Sequence, residues 1–235
     1  MQVTLIGSTT ADLYNMRKAT EFAWDPGWAS TEADDLAEFA GRACYQSWNK
    51  PNPETRENAD YLRSTIHEKG HESIAAHASA TFYIEGVSRN LTHELIRHRW
   101  LAFSELSQRY VDMHDSQMVI PPAIRGLDHE YELHEEYNYM LAAYEDLVRV
   151  LERRYVTGKQ AREAARAVLP GGVETKIVVS GNMRAWRDFL KQRWSAQADA
   201  EIRELAGHLL NELRRLAPNT FADIPEKPYG IQDAE

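Results

Sequence analysis

Cysteine is almost absent: Cys44 is the only one in 235 residues. No intramolecular disulfide and no cysteine-rich zinc site can form, and a reducing cytoplasm is the expected setting. Long apolar runs are missing as well, since nothing approaches the roughly 20 residues that a membrane-spanning helix needs. Residues 1–8 read as a strand rather than a signal peptide. Lysine is scarce, with 7 of the 27 basic residues, and the other 20 are arginines. The net charge of −9 argues against the broad basic face that duplex nucleic acid requires. The arginine bias instead favours fork-shaped recognition of phosphate or carboxylate, although most of the twenty read as ordinary surface ion pairs.

One stretch stands apart. Arg97-His98-Arg99, followed after seven residues by Ser107-Gln108-Arg109, puts fixed positive charge among Leu95, Ile96, Trp100, Leu101, Phe103 and Leu106. Such apolar neighbours predict a position in or near a core, where an unpaired guanidinium carries a large desolvation cost. An anion is therefore expected there, with Ser107 adding an adaptable hydroxyl.

Periodicity predicts the frame. Val3, Leu5 and Ile6 open a strand. Thr31 caps a helix to about Trp48, with Leu36, Phe39, Ala40, Ala43 and Cys44 on its apolar side, so Cys44 reads as a small buried hydrophobe rather than a nucleophile. Further helices are expected at about Glu54–Lys69, Arg89–His98 capped by Ser88, Asp128–Tyr155, Lys159–Leu169, Met183–Trp194 and Asp199–Leu216. Strands are expected at Ala78–Val87, Gln117–Ile120 and Val173–Ser180. Without regular βα alternation, repeats or a linker, the fold class is α+β: a single domain over residues 1–235, with a small, mainly antiparallel or mixed sheet and several long helices.

Histidines do not build a metal site in this pattern. His93 and His98 are five apart, about 140° around a helix, and cannot share a ligand face. His67 and His71 have the right spacing, but Gly70 breaks the helix between them. Other stations suit anions. Arg162 and Arg166 lie four apart beside small alanines, a reading balanced against a solvated face. Asn182-Met183-Arg184 opens a helix after a strand, where free amides favour negative charge. Arg193 closes that helix. A nucleotide together with a second phosphate-bearing cofactor would use all of them.

These residues resemble the flavin-dependent thymidylate synthase family. The likeness rests on Arg97-His98-Arg99, seven residues and Ser107, together with His71-Glu72-Ser73, His77, Arg166 before Leu-Pro, Gly181-Asn182-x-Arg184 and Arg193, across roughly residues 70–217. It implies an enzyme that converts dUMP to dTMP with 5,10-methylenetetrahydrofolate as methylene donor and NADPH as reductant through bound FAD. Glu94, Leu95, Ile96, Arg97, Glu105, Leu106, Ser107, Gln108, Arg109, Arg166 and Arg193 match the dUMP contacts. Arg193 matches the arginine assigned to stabilising uracil deprotonated at N3. For FAD the matching positions are Ser73, Arg97, His98, Arg99, Glu105, Asn182, Met183, Arg184 and Asp188, with His71 near the flavin or folate. The chain departs from common family residues at Ala76, Ala102, Ser104, Asp188 and Gln197. The resemblance further implies a cytoplasmic homotetramer with shared active sites and no metal, nucleic-acid or membrane partner. The alternative from the residues alone is a phosphate-binding RNA or nucleotide module without redox chemistry.

Overall fold

A computed structural model describes residues 1–27, 30–154 and 156–231. Four strands, β1 (Gln2–Ser8), β2 (Ser79–Ser88), β3 (Ala102–Glu105) and β4 (Glu174–Asn182), form one sheet in the order β1-β2-β4-β3. The neighbours run antiparallel. Thr9 N–H donates to the Ser79 carbonyl at 3.0 Å, and Leu106 N–H to the Lys176 carbonyl at 2.8 Å. Thr81 faces Ser180, with their hydroxyls 2.9 Å apart, while Lys176 Nζ reaches Glu85 Oε1 at 2.9 Å. Burial alternates along β2 and β4, so one face of each strand carries the core. With eight α-helices among the described residues, the α+β class holds.

The helices are α1 (Leu13–Ala19), α2 (Glu32–Tyr45), α3 (Asn58–Leu62), α4 (Arg89–Leu95), α5 (His129–Glu152), α6 (Gly158–Ala165), α7 (Met183–Arg193) and α8 (Ala200–Leu216). Short polar side chains start most of them. Thr31, Ser88, Thr157 and Asn182 each accept a backbone N–H of the first turn, and Thr31 and Ser88 are the caps expected from the sequence. Several expectations are corrected. Helix α4 stops at Leu95, before His98; the span after Glu54 breaks into α3 and a π-helical turn at Arg63–Glu68. Gln117–Ile120 contributes only an isolated bridge from Met118 to Val173. Tyr155, the expected end of α5, lies outside the described residues. Helices α1 and strand β3 have no counterpart in the periodicity reading, being too short to carry a pattern.

The chain divides into two compact units. The first comprises Met1–Gln2, Ile84–Arg97 and Phe103–Val178. Its core joins Tyr137, Tyr144 and Val148 of α5 to Ala161 and Ala165 of α6, where alanines allow close helix approach. Tyr144 keeps its hydroxyl satisfied by accepting from Met113 N–H and donating to Asp112, both at 3.2 Å.

The second unit comprises Val3–Tyr83, His98–Ala102 and the chain from Val179 onward. Trp186 and Phe189 of α7 pack edge-on, with Phe82 of β2 edge-on to Trp186 and Leu205, Leu209 and Leu213 of α8 fully buried. Helix α2 buries a face other than the expected one: Asp34, Glu38 and Arg42 are inside, while Cys44 is exposed. The charges are tolerated because each is paired. Asp34 accepts from the N–H groups of Asn219 and Thr220 and from the Thr220 hydroxyl, and Glu38 accepts from Arg42 Nε at 2.6 Å.

Candidate active site

The Arg97–Arg109 segment begins where α4 ends. Ile96 closes the helix, Arg97 N–H donates to the Glu94 carbonyl at 3.3 Å, and Leu101 N–H donates to the His98 carbonyl at 3.1 Å. Leu95 and Leu101 are buried as expected, but Ile96 and Trp100 are exposed, Trp100 at 79%. Arg97 and Arg99 are exposed too and have no side-chain partner among the described residues. The premise of charge forced into a core is thus corrected: the backbone turns these guanidiniums outward, where they can meet an anion without first being desolvated.

Most of the dUMP-matching residues belong to the first unit. Glu105 ends β3 and accepts from Thr92 Oγ1 at 2.9 Å, with Arg89 3.2 Å away. Leu106 packs against the α5–α6 core. The Ser107 carbonyl accepts the N–H groups of Tyr110 and Val111, making a tight turn. Gln108 is only 5% exposed, and its buried Nε2 has no hydrogen-bond partner among the described residues. Such an atom costs about 1–3 kcal/mol if it stays unpaired. Arg109 is exposed, 3.8 Å from Glu163, and its carbonyl accepts from Arg162 Nε at 3.2 Å. Arg166 opens the 3₁₀ turn after α6, exposed and without a side-chain partner among the described residues. Lys159 and Arg109 both lie over the Tyr110 ring, and the hydrogen bond and charge of Lys159 hold the Tyr110 hydroxyl below its ordinary range.

The FAD-matching residues, apart from Arg97 and Glu105, belong to the second unit. Asn182 caps α7 through Ala185 N–H at 2.8 Å, and Met183 N–H is tied to the Ala78 carbonyl at 2.9 Å. The absent side chain of Gly181 leaves room for Leu101, whose Cδ2 would lie 2.3 Å from a Cβ there. A cavity of about 460 Å³ is lined by Glu72, Ala76, Trp100, Asn182, Arg184, Ala185 and Asp188. Arg184 is exposed and unpaired among the described residues; Asp188 accepts from Gln192 at 3.1 Å. His71 and Ser73 are exposed, the first just before and the second within a 3₁₀ turn that follows Gly70, whose φ of +71° suits glycine. Arg193 Nε donates to His98 Nε2 at 3.0 Å, and the imidazole stands edge-on to Phe189. Nε2 therefore acts as an acceptor, which requires the neutral ring with its proton on Nδ1. Arg193 falls in this unit, apart from the other dUMP-matching residues.

Residues 28–219 match the family model described as thymidylate synthase complementing protein. The probable flavin-dependent thymidylate synthase of Mycobacterium phage L5 is 53% identical, covering 87% of this chain and 86% of that protein. That of Mycobacterium phage D29 is 48% identical over 97% and 98% of the two chains. The flavin-dependent thymidylate synthase of Mycolicibacterium vanbaalenii is 52% identical over 87% and 86%. The chain belongs to the flavin-dependent thymidylate synthase family.

Membership in an enzyme family sets aside the module without redox chemistry. The second unit also fits a phosphate-bearing cofactor: it holds a cavity, the start of α7 and, at the cavity wall, Arg184, which has no side-chain partner among the described residues. Sequence reasoning missed Arg187, which is 1% exposed. It donates to both Asp223 oxygens at 2.6 and 2.8 Å, to the Thr220 carbonyl at 2.5 Å and to Glu72. Burial pushes the Glu72 carboxyl up, but Lys191 and Arg187 outweigh it and hold the group below its usual range. Arg187 shares a helix face with Met183 and Leu190, which are both buried, and that register was the available signal. Among the described residues no group of three potential ligands could hold a metal ion, and no helix is long and apolar enough to cross a membrane.

Proposed function

We propose that this chain makes dTMP from dUMP, with 5,10-methylenetetrahydrofolate as methylene donor and NADPH as reductant. FAD, when bound, would supply the redox chemistry that links NADPH to the transferred carbon. Ser107, Arg109 and Arg166 hold the phosphate end of dUMP, with Glu94, Leu95, Ile96, Arg97, Glu105 and Leu106 shaping the rest of that site. Gln108 carries the reading furthest: a buried amide nitrogen without a partner among the described residues, within a turn of hydroxyl and guanidinium groups, suits a ligand that brings an acceptor.

Ser73, Arg97, His98, Arg99, Glu105, Asn182, Met183, Arg184 and Asp188 serve FAD, and His71 the flavin or folate. Arg193 acts on the uracil. A cation near N3 favours the deprotonated, electron-rich ring that attacks the one-carbon donor without a cysteine adduct. The chain works as one domain in a cytoplasmic homotetramer with shared sites. Supporting assembly, α5 exposes Met140, Ala143, Leu147 and Val150 at heptad spacing on a side away from its buried Tyr137, Tyr144 and Val148.

The test is anaerobic. Purified protein loaded with FAD should bleach its flavin absorbance on NADPH addition, then form dTMP when dUMP and the folate are supplied. Protein that takes up FAD but forms no dTMP under these conditions would contradict the reading.

A further inference from the structure

Trp100 is unusual in its setting. Its indole, 79% exposed, is the most exposed large hydrophobic side chain among the described residues and offers a flat aromatic face to a ligand. Its position is nevertheless fixed on both sides. Two residues earlier, His98 is 6% exposed, hydrogen-bonded to Arg193 and packed on Phe189. The next residue, Leu101, is buried, with its Cδ2 in the space where a Cβ on Gly181 would stand 2.3 Å away. A short turn between two anchored residues thus fixes the backbone of Trp100 at the wall of the 460 Å³ cavity.

The rest of the lining gives the occupant its character. Arg184 offers a guanidinium with no side-chain partner among the described residues, and the start of the 11-residue α7 lies at Asn182 and Ala185. Glu72, which also lines the cavity, is already neutralised by Lys191 and Arg187, so it does not repel a phosphate strongly. The combination is a flat apolar platform, a cation and a helix start within one cavity. It suits a molecule that carries a planar fused heteroaromatic ring joined to a phosphate.

We propose that Trp100 is the stacking platform for one of the two planar rings of FAD, with Arg184 taking the adjoining phosphate. The inference rests on FAD using this cavity, and it goes beyond it by assigning Trp100, which lies inside the family motif but matches none of its binding positions. Stacking needs the aromatic face and not the indole N–H, so phenylalanine preserves much of it and alanine does not.

The experiment is equilibrium titration of apo-protein with FAD, followed by visible absorbance and equilibrium dialysis, for the parent, W100F, W100A and R184A. Loss of stacking predicts about ten- to a hundred-fold weaker FAD binding by W100A, with W100F within a few-fold of the parent and the apo-protein melting temperature unchanged in both. If the isoalloxazine is the stacked ring, W100A also shifts the bound flavin's visible spectrum and weakens riboflavin binding. If it is the adenine, W100A leaves the spectrum alone and weakens competition by ADP. FAD affinity in W100A equal to that of the parent, with R184A weakened, overturns the platform while leaving the cavity reading intact. Unchanged affinity in both variants overturns the cavity reading as well.

Discussion

Helix α7 and the motif segment both carry arginines, and they use them in opposite ways. Arg187, on the inner face of α7, is buried and fully engaged by Glu72, Asp223 and the Thr220 carbonyl. Arg42 on α2 is similar, bonded to Glu38 and to the carbonyls of Ser47, Thr55 and Arg56. Arg97, Arg99, Arg166 and Arg184 are exposed and have no side-chain partner among the described residues. A buried guanidinium must have its partners built in, because desolvation is paid during folding. An exposed one can wait for a ligand. The difference separates arginines that hold the fold from arginines that serve chemistry, and it is drawn by partners rather than by residue type.

Breaking the structural class should have the largest effect on stability. Arg187→Met takes the buried guanidinium from Asp223 and leaves Glu72 with Lys191 alone, at an expected cost of about 3–5 kcal/mol, whereas Arg184→Ala on the same helix should cost less than about 0.5 kcal/mol. Chemical denaturation of the two apo-variants checks the contrast, and equal losses would erase the distinction.

Next in size is Arg193→Ala, expected to lower dTMP formation roughly 10²- to 10³-fold while leaving flavin reduction by NADPH close to the parent rate. Stopped-flow absorbance separates the two half-reactions. Loss of both would move Arg193 from uracil chemistry to flavin binding, where its bond to His98 would be the reason.

A smaller effect lies in the buried network of α2. Burial, helped by the charges of Glu38 and Asp34, pushes Asp35 up to about 6 against the hydrogen bond from Ser30. The folded state then keeps a proton that the unfolded chain releases near pH 4. This contribution favours folding below about pH 4 and is lost as the pH rises through 6. Asp35→Asn removes the penalty of the ionised form, so the variant should be roughly 1–3 kcal/mol more stable at pH 7.5, with the advantage fading toward pH 4. A gain independent of pH would show that ionisation is not its cause.

How much was legible follows the same physics. Caps at Thr31 and Ser88 were readable because a short side chain and its N–H target are local in sequence. The strands β2 and β4 were readable from alternation. The inner face of α2 was not, since Asp34 is satisfied by Thr220, 186 positions away, and nothing local announces that partner. The motif identified the family, yet it did not reveal that Trp100 and Ile96 face outward while His98 and Leu101 face in. Apolar content alone does not say which side of a six-residue turn is buried.

Gln108 offers the most direct test, because it alone combines deep burial with an unmet hydrogen bond within the motif. Thermal unfolding of Gln108→Leu should be measured with and without dUMP. If the amide nitrogen awaits the nucleotide, the similarly sized leucine should raise the unliganded melting temperature by a few degrees, about 1 kcal/mol, and abolish most of the further rise that dUMP produces in the parent. A lower unliganded melting temperature with the full dUMP-induced rise retained would contradict the account.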